Sequence, residues 1–294
     1  MIEAQVPGVF HRRVGDILVT TLHDGHQDSP VSSMDGITAE AATALLAASF
    51  RPARRTAVNA FLIRHGDRIA LVDAGLGQGV RPTVGFVAKH LADAGVDPAA
   101  VNTLLMTHLH RDHWGGIADS TGTAAFPNAT LHVHADEIAH WDSDDAMMRL
   151  ADPAQRQAMF IETRNRLRPY RDRMQVFRGG EIFPGVTAIP LPGHTPGHTG
   201  FMVASGGRSL LIWGDIVHVP EVQIARPEVT MKVDTDPALA IATRRRILDQ
   251  VATDRLAIAG MHLHFPAFAH VARDGSGYRL VPDAWTLDLD GDTP

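Results

Sequence analysis

The sequence predicts an α/β fold, and three observations support this prediction. Short apolar runs of strand length alternate with segments of helical periodicity. Glycine-containing and proline-containing turns separate these runs. Of the 294 residues 45% are hydrophobic and the mean hydropathy is −0.05, which is typical of a globular chain with a sizeable core. The chain has no internal repeat or long linker, so we expect a single domain over residues 1–294.

The first predicted elements are strands at residues 16–21, 58–64 and 69–73. The turn His65-Gly66-Asp67 joins the last two, which predicts a hairpin. Residues 83–94 repeat apolar side chains at helical spacing, and Gly95 closes the predicted helix. Residues 101–106 form the next apolar strand. The resulting strand–helix–strand unit places His108 just after the end of a buried strand.

Three later strands are predicted at residues 131–134, 186–190 and 210–213, with a helix starting at about residue 136. The last two of these strands lead into Pro192-Gly193-His194 and Gly214-Asp215. Residues 38–49 and 142–173 are predicted to be helical and weakly amphipathic. Two interpretations of these segments remain open, because they could be lids over a site or ordinary surface helices packed on the sheet.

Composition excludes several function classes. The chain has no Cys, so a metal site here must use His and carboxylate ligands. The formal net charge of −6 disfavours a nucleic-acid partner. No apolar run is long enough to span a membrane, and the N-terminus has no secretory signal pattern, so we expect a cytoplasmic location and no membrane partner.

The main candidate site is the string His108-Leu109-His110-Arg111-Asp112-His113, which directly follows an apolar strand. Side chains two residues apart on an extended segment point the same way, so His108 and His110 lie on one side of it. Asp112 and His113 lie where Gly115-Gly116 redirects the chain. A surface loop rich in His is the alternative, but a chain with 17 His would rarely produce this string by chance.

Further candidate ligands follow later strands, namely His194, Asp215 and His262. Taken alone, a His beside a glycine turn is more often a hydrogen-bonded loop residue than a ligand. Together with the first string, these residues favour a shared metal site. Asp73 and His198 are expected to hold loops and ligand imidazoles by hydrogen bonds.

With these motifs in order, the sequence resembles the metallo-β-lactamase-fold hydrolases over roughly residues 59–271, which is most of the chain. The resemblance implies a four-layer αββα sandwich with the active site at one edge. It also implies that His108, His110 and His194 hold one metal ion, that Asp112, His113 and His262 hold a second, and that Asp215 bridges them. Two divalent ions are expected, zinc first, with manganese, cobalt and iron also compatible with these ligands.

The segment from Gly214 to Gln223 and the later His-x-x-Phe-Pro pattern resemble the branch that contains methyl parathion hydrolase and the quorum-quenching lactonases. That pattern selects His262 over His264, because His262 precedes Phe265 by three residues. In the homoserine-lactone-cleaving members a Tyr follows the bridging Asp by three residues, and His218 stands there in this chain. His218 is therefore a candidate catalytic residue, with a structural role as the alternative.

The resemblance implies a hydrolase in which a hydroxide bridging the two ions attacks a lactone, aryl ester or phosphotriester, with Asp112 handling a proton. The alternatives are a β-lactamase or thioesterase of the same fold, or a catalytically silent metal-binding module. A small-molecule substrate is the expected partner, and a homodimer is the assembly considered.

Overall fold

The computed structural model describes residues 8–275, 277–286 and 289. The strands in this part of the chain are β1 (Val9–Val14), β2 (Ile17–Asp28), β3 (Met34–Asp35), β4 (Arg55–His65), β5 (Arg68–Val72), β6 (Thr103–Leu105), β7 (Thr130–His134), β8 (Met174–Phe177), β9 (Gly180–Phe183), β10 (Val186–Pro190), β11 (Thr199–Ser205), β12 (Arg208–Ile212), β13 (Thr230–Met231), β14 (Ala257–Ala259), β15 (Phe268–Asp274) and β16 (Gly277–Pro282).

The α-helices described are α1 (Ala39–Ala48), α2 (Val87–Asp93), α3 (Arg111–Trp114), α4 (Ala135–Trp141), α5 (Asp144–Met148), α6 (Pro153–Arg156), α7 (Glu162–Leu167), α8 (Pro220–Gln223) and α9 (Pro237–Thr253). A π-helical turn at Gln157–Ile161 joins α6 to α7. Short 3₁₀ turns lie at Val31–Ser33, Pro98–Ala100, Arg168–Arg173 and Gly214–Ile216. None of the described helices has the length and apolar character needed to cross a membrane.

Two large sheets organise the described chain. The first has the order β1-β2-β4-β5-β6-β7-β8, and the second has the order β16-β15-β14-β12-β11-β10-β9. Strands β5 to β8 pair in parallel, as do β12 and β14. Because the carboxyl ends of parallel strands reach the same edge of a sheet, the loops that follow β5, β6, β12 and β14 can meet at one edge of the molecule.

The main core lies between the two sheets. Phe61 and Ile63 of the first sheet belong to the same buried cluster as Phe201 and Val203 of the second. A second cluster joins the outer face of the first sheet to α2, α4 and α7, and α9 packs its buried side chains on the second sheet. Helices therefore cover both sheets, and the predicted α/β sandwich with an αββα order is confirmed.

Two predicted elements are shorter in the structure than in the sequence-based prediction. The helix predicted over residues 83–94 begins at Val87, because Gly85 adopts a φ of 94° that is incompatible with a helix and Asp24 Oδ1 accepts from the Val87 backbone nitrogen at 3.2 Å. The strand predicted over residues 101–106 is reduced to β6. The predicted hairpin is present as β4 and β5.

The two segments left open by the sequence pack in different places. Residues 38–49 form α1, whose buried side chains contact Val219 and Val222 just beyond Asp215. Residues 142–173 form α5 to α7 and neighbouring turns. Phe160, Leu167 and Tyr170 in this segment are buried in the cluster on the outer face of the first sheet. Part of the second segment is therefore packed as a layer on the outer face of the first sheet.

Candidate metal centre

The predicted ligands converge at one edge of the sandwich, and each follows a strand. His108 and His110 follow β6, and Asp112 and His113 lie in the single turn of α3. From the other sheet, His194 follows β10, Asp215 follows β12 and His262 follows β14. The cluster therefore draws on both sheets.

Three imidazoles form the first group, defined by His108, His110 and His194. The His110 Nδ1 atom lies 3.0 Å from His108 Nε2 and 2.9 Å from His194 Nε2, and the last two atoms are 3.2 Å apart. Nitrogen ligands of a tetrahedral zinc ion, each at about 2.0–2.1 Å, lie roughly 3.3 Å from one another. The first group therefore has the spacing of a metal-binding triad.

The second group consists of Asp112, His113 and His262, whose ligand atoms all lie within 4.8 Å of one another. Asp112 Oδ1 is 3.7 Å from His113 Nε2, and its Oδ2 is 3.6 Å from His262 Nε2. Both imidazoles are buried, whereas the Asp112 side chain is 26% exposed. This group therefore has one ligand that reaches solvent.

Asp215 lies between the two groups. Its Oδ2 atom is 3.6 Å from His108 Nε2 and 3.4 Å from His194 Nε2 in the first group. It is 3.3 Å from His113 Nε2 and 3.1 Å from His262 Nε2 in the second. One carboxylate oxygen thus faces four imidazole nitrogens of the two ligand groups.

Two observations show that the cluster fits metal cations. Buried polar atoms normally have hydrogen-bond partners, yet His113 Nε2 and Asp215 Oδ1 are buried without one. In addition, burial is the main cause that lowers the pKa of His108 and His110 well below the usual value for His. These two imidazoles are therefore neutral, which is the form that binds metals.

The charge of Asp215 is set by its neighbours. Burial would raise its pKa, but His113 and His262 outweigh burial and hold the pKa well below the usual value for Asp. The pKa of His113 is raised well above its usual value, because Asp215 and Asp73 outweigh the opposing effect of burial. The cluster thus stabilises positive charge around one carboxylate, whether a proton or a metal cation supplies it.

Three imidazoles of the two ligand groups have a hydrogen-bond partner at Nδ1, on the side of the ring away from the cluster. His113 Nδ1 lies 2.7 Å from Asp73 Oδ2, and His262 Nδ1 donates to the Ala57 carbonyl at 2.7 Å. His194 Nδ1 lies 2.7 Å from Asp234 Oδ1. When such an imidazole is neutral, donation from Nδ1 leaves the lone pair of Nε2 facing the cluster, which is the usual support for a metal-binding His.

Glu137 of α4 connects the two ligand loops. Its carboxylate is fully buried and accepts from the Leu109 backbone nitrogen at 2.9 Å, between His108 and His110. It also accepts from the Gly197 backbone nitrogen at 2.9 Å and from Trp141 Nε1 at 2.8 Å. One side chain therefore fixes the first-sheet loop relative to the loop that carries His194.

His218 lies inside the cluster. Its Nε2 atom is 2.8 Å from Asp215 Oδ2, and its ring stacks on that of His262 with centroids 5.1 Å apart. Gln223 Oε1 accepts from the His218 backbone nitrogen at 2.7 Å, while His218 Nδ1 is buried without a hydrogen-bond partner. Burial is the main cause that lowers the pKa of His218 to about 4.

The remaining predicted residues lie at the margin of the cluster. Asp73 accepts from the Thr107 backbone nitrogen at 2.9 Å, and His198 Nε2 accepts from the Asp215 backbone nitrogen at 2.8 Å. Both therefore hold ligand loops, as the sequence predicts. His264 is outside both ligand groups and instead lies 2.6 Å from Glu221 Oε1.

Sequence reasoning missed Glu137, Asp234 and the Ala57 carbonyl. Asp234 is 40 residues from His194, and Ala57 is 205 residues from His262. No local motif marks these positions. The only available signal is that Glu137 and Asp234 are acids close to apolar segments, which is too common to identify a site.

The model of the metallo-beta-lactamase superfamily matches residues 53–262. The chain belongs to the metallo-β-lactamase superfamily. This superfamily member is similar to the crystal structure of the hydrolase AbOPH in the beta lactamase superfamily, with 32% identity, a TM-score of 0.89, and coverage of 96% of this chain and 100% of that one. The predicted family is therefore confirmed.

Other relatives are more distant. AidC, a dizinc quorum-quenching lactonase solved with a product, has a TM-score of 0.88 and covers 96% of this superfamily member and 100% of its own chain, but its 23% identity shows the shared fold alone. A probable metallo-hydrolase of Mycobacterium tuberculosis is 28% identical over 67% of this chain and 62% of its own length. An uncharacterized protein of Bacillus subtilis is 29% identical over 54% of this chain. The chain thus spans 61–62% of the length of these two curated relatives.

Proposed function

We propose that this protein is a dinuclear metal-dependent hydrolase that cleaves small ester-like substrates, namely lactones, aryl esters or phosphotriesters. The observation that carries the proposal is the placement of Asp215 Oδ2 between two separate ligand groups. A single-ion site would not need the second group. The similarity to a superfamily hydrolase at 32% identity supports the reaction class.

His108, His110 and His194 would hold one divalent ion, Asp112, His113 and His262 the other, and Asp215 both. Zinc fits the all-His/carboxylate donor set, as do manganese, cobalt and iron. Bound ions would supply Lewis acidity to a carbonyl or phosphoryl oxygen and would lower the pKa of water. The remaining steps depend on side chains of this chain.

Asp112 is the proposed acceptor for the proton of the attacking water. Its side chain is 26% exposed, whereas that of Asp215 is only 2% exposed. Water can therefore reach Asp112 more readily than Asp215, and a carboxylate oxygen of Asp112 can accept a proton while the side chain still faces His113 and His262. Proton transfer to the leaving group would then occur at the solvent-facing side of the cluster.

His218 is the proposed second catalytic residue. Its Nε2 atom donates to Asp215, so Nδ1 carries the lone pair. This unpartnered Nδ1 can accept a hydrogen bond or a proton from a reacting group. Gln223 fixes the His218 backbone and thereby orients the ring.

The substrate class follows from the same features. The net charge of −6 gives no general attraction for polyanions, which favours small and mostly uncharged esters. His218 occupies the position at which homoserine lactonases resembling this sequence carry Tyr. We therefore expect aryl esters and general lactones to be cleaved faster than homoserine lactones.

A substrate screen with matched metal analysis tests the proposal. The metal-supplemented protein is assayed with lactones, aryl esters, phosphotriesters, thioesters and β-lactams, and its metal content is measured on the same sample. We expect two ions per chain and turnover of at least one of the first three classes. Exclusive turnover of β-lactams or thioesters, or no turnover by the two-ion form, would reject the substrate class. One ion per chain would reject the dinuclear site.

A further inference from the structure

A cavity of about 320 Å³ lies at the opposite edge of the sandwich from the metal centre. Arg208 and Ala257, which begin β12 and β14, line it, whereas Asp215 and His262 follow the carboxyl ends of the same two strands. The cavity is therefore separate from the candidate catalytic centre. Its remaining lining residues are Arg12, Arg13, Val14, Ser209, Asp254, Arg255, Leu256 and His270.

The cavity concentrates positive charge in a chain that is acidic overall. Four of its lining residues are Arg, and Asp254 is the one carboxylate among them, while the whole chain carries −6. Arg12 is partnered by Asp283. By contrast, Arg208 and Arg255 form no ion pair with any described residue. Two guanidinium groups therefore remain available for an anionic ligand.

The arginines come from both sheets. Arg208 lies on the same face of β12 as Leu210 and Ile212, because side chains two residues apart on a strand point the same way. The side chains of Leu210 and Ile212 belong to the core between the sheets. In the same way, Arg12 lies on the same face of β1 as Val14, and Val14 is also part of that core. Arg12 and Arg208 therefore approach the cavity from facing strands, and a ligand between them could contact both.

Arg255 occupies a backbone position that normally favours glycine. It follows α9 with a φ of 52°, and the Leu256 backbone nitrogen donates to the Val251 carbonyl at 3.0 Å, which closes the helix in a Schellman turn. Glycine would adopt this left-handed conformation with less strain. In this chain the position is occupied by Arg255, which lines the cavity together with Arg12 and Arg208.

We propose that this cavity binds the phosphate group of a small phosphorylated molecule. Guanidinium groups present planar pairs of N–H donors that match phosphate oxygens, and several of them together suit a doubly charged oxyanion better than a single carboxylate. The volume is at the lower end of the range for small-molecule sites, roughly 300–1,000 Å³. The mixed lining of Arg and apolar residues such as Val14 and Leu256 accommodates a phosphate with a small organic group.

Calorimetric titration with inorganic phosphate at constant ionic strength tests this site in the metal-loaded, full-length protein. Arg208→Ala and Arg255→Ala should each weaken the cavity's phosphate affinity about tenfold or more, because each removes a charge-assisted contact. Arg208→Lys should lose less than Arg208→Ala, since the charge remains. Arg246→Ala is the matched control, because Arg246 is an exposed residue of α9 outside the cavity lining.

Phosphate that binds at the metal centre contributes equally to all of these variants, so the comparison isolates the cavity. A thermal unfolding measurement on each variant checks that the fold is retained. If Arg208→Ala and Arg255→Ala bind phosphate as the wild type does, the proposal is wrong. Equal weakening in Arg246→Ala would also overturn it, because it would indicate a general charge effect.

Discussion

The two ligand groups of the candidate metal centre differ in how far solvent reaches them. The first contains three imidazoles. Buried carboxylates support both groups, through Asp234 on His194 in the first and Asp73 on His113 in the second. The second contains Asp112, which is 26% exposed and lies on a helix of a single turn. The two groups therefore differ in solvent access, and for the dinuclear site proposed above we expect the ion of the second group to exchange faster than the ion of the first.

The largest expected effect comes from Asp215, which belongs equally to both groups. Asp215→Ala should lose one or both ions and reduce turnover at least about 100-fold, because the imidazoles around it lose their shared negative charge. Elemental analysis and steady-state assays measure this, with Asp145→Ala on the surface as the control. Retention of two ions with normal turnover would show that Asp215 is not the bridge.

Asp112→Ala tests the difference between the groups directly. We expect loss of one ion with the other retained, and a fall in turnover of about 100-fold, because the proton acceptor is also removed. Metal titration monitored by calorimetry gives the number of sites and their affinities. Loss of both ions in equal measure would contradict independent groups.

His218→Ala sharpens the separation of metal binding from chemistry. Turnover should fall about 100-fold while two ions remain bound, because His218 contacts Asp215 but is not assigned to either ion. kcat and KM are measured for an aryl ester together with metal content. Unchanged kcat would assign His218 a structural role.

Asp234→Asn probes the support of the first group. Asn cannot provide a charge for His194 Nδ1, and its amide would face the Met231 backbone nitrogen that now donates to Asp234 Oδ2 at 2.8 Å. We expect about tenfold weaker binding of the first ion and little change in the second. Competition with a chelator measures both affinities. Asp236→Asn, at the start of α9, is the control, and an equal effect there would argue against the assignment.

The smallest effect is expected from His264→Ala. This side chain contacts Glu221 outside both groups, so two ions should remain and stability should change by less than about 1 kcal/mol. Metal content and thermal unfolding are the measurements. Loss of an ion would mean that His264, and not His262, completes the second group.

The local parts of the structure were predictable from the sequence. Strand-length apolar runs located β4, β5, β10 and β12, and the His-rich string marked one edge of the sandwich because its spacing is a local property. The supporting residues were not predictable. Asp234 and Glu137 reach the site through packing between distant segments, and neither the sequence distance nor the residue type distinguishes them from other acids.

Glu137 has a consequence for the order in which the molecule assembles. Its carboxylate joins the loop after β6 in one sheet to the loop before β11 in the other, so the first ligand group exists only after the two sheets have packed together. A partly folded chain with separated sheets would present scattered histidines of low affinity. Any ion bound by this cluster would therefore link residues of the two sheets. Its binding free energy would add to the free energy of unfolding.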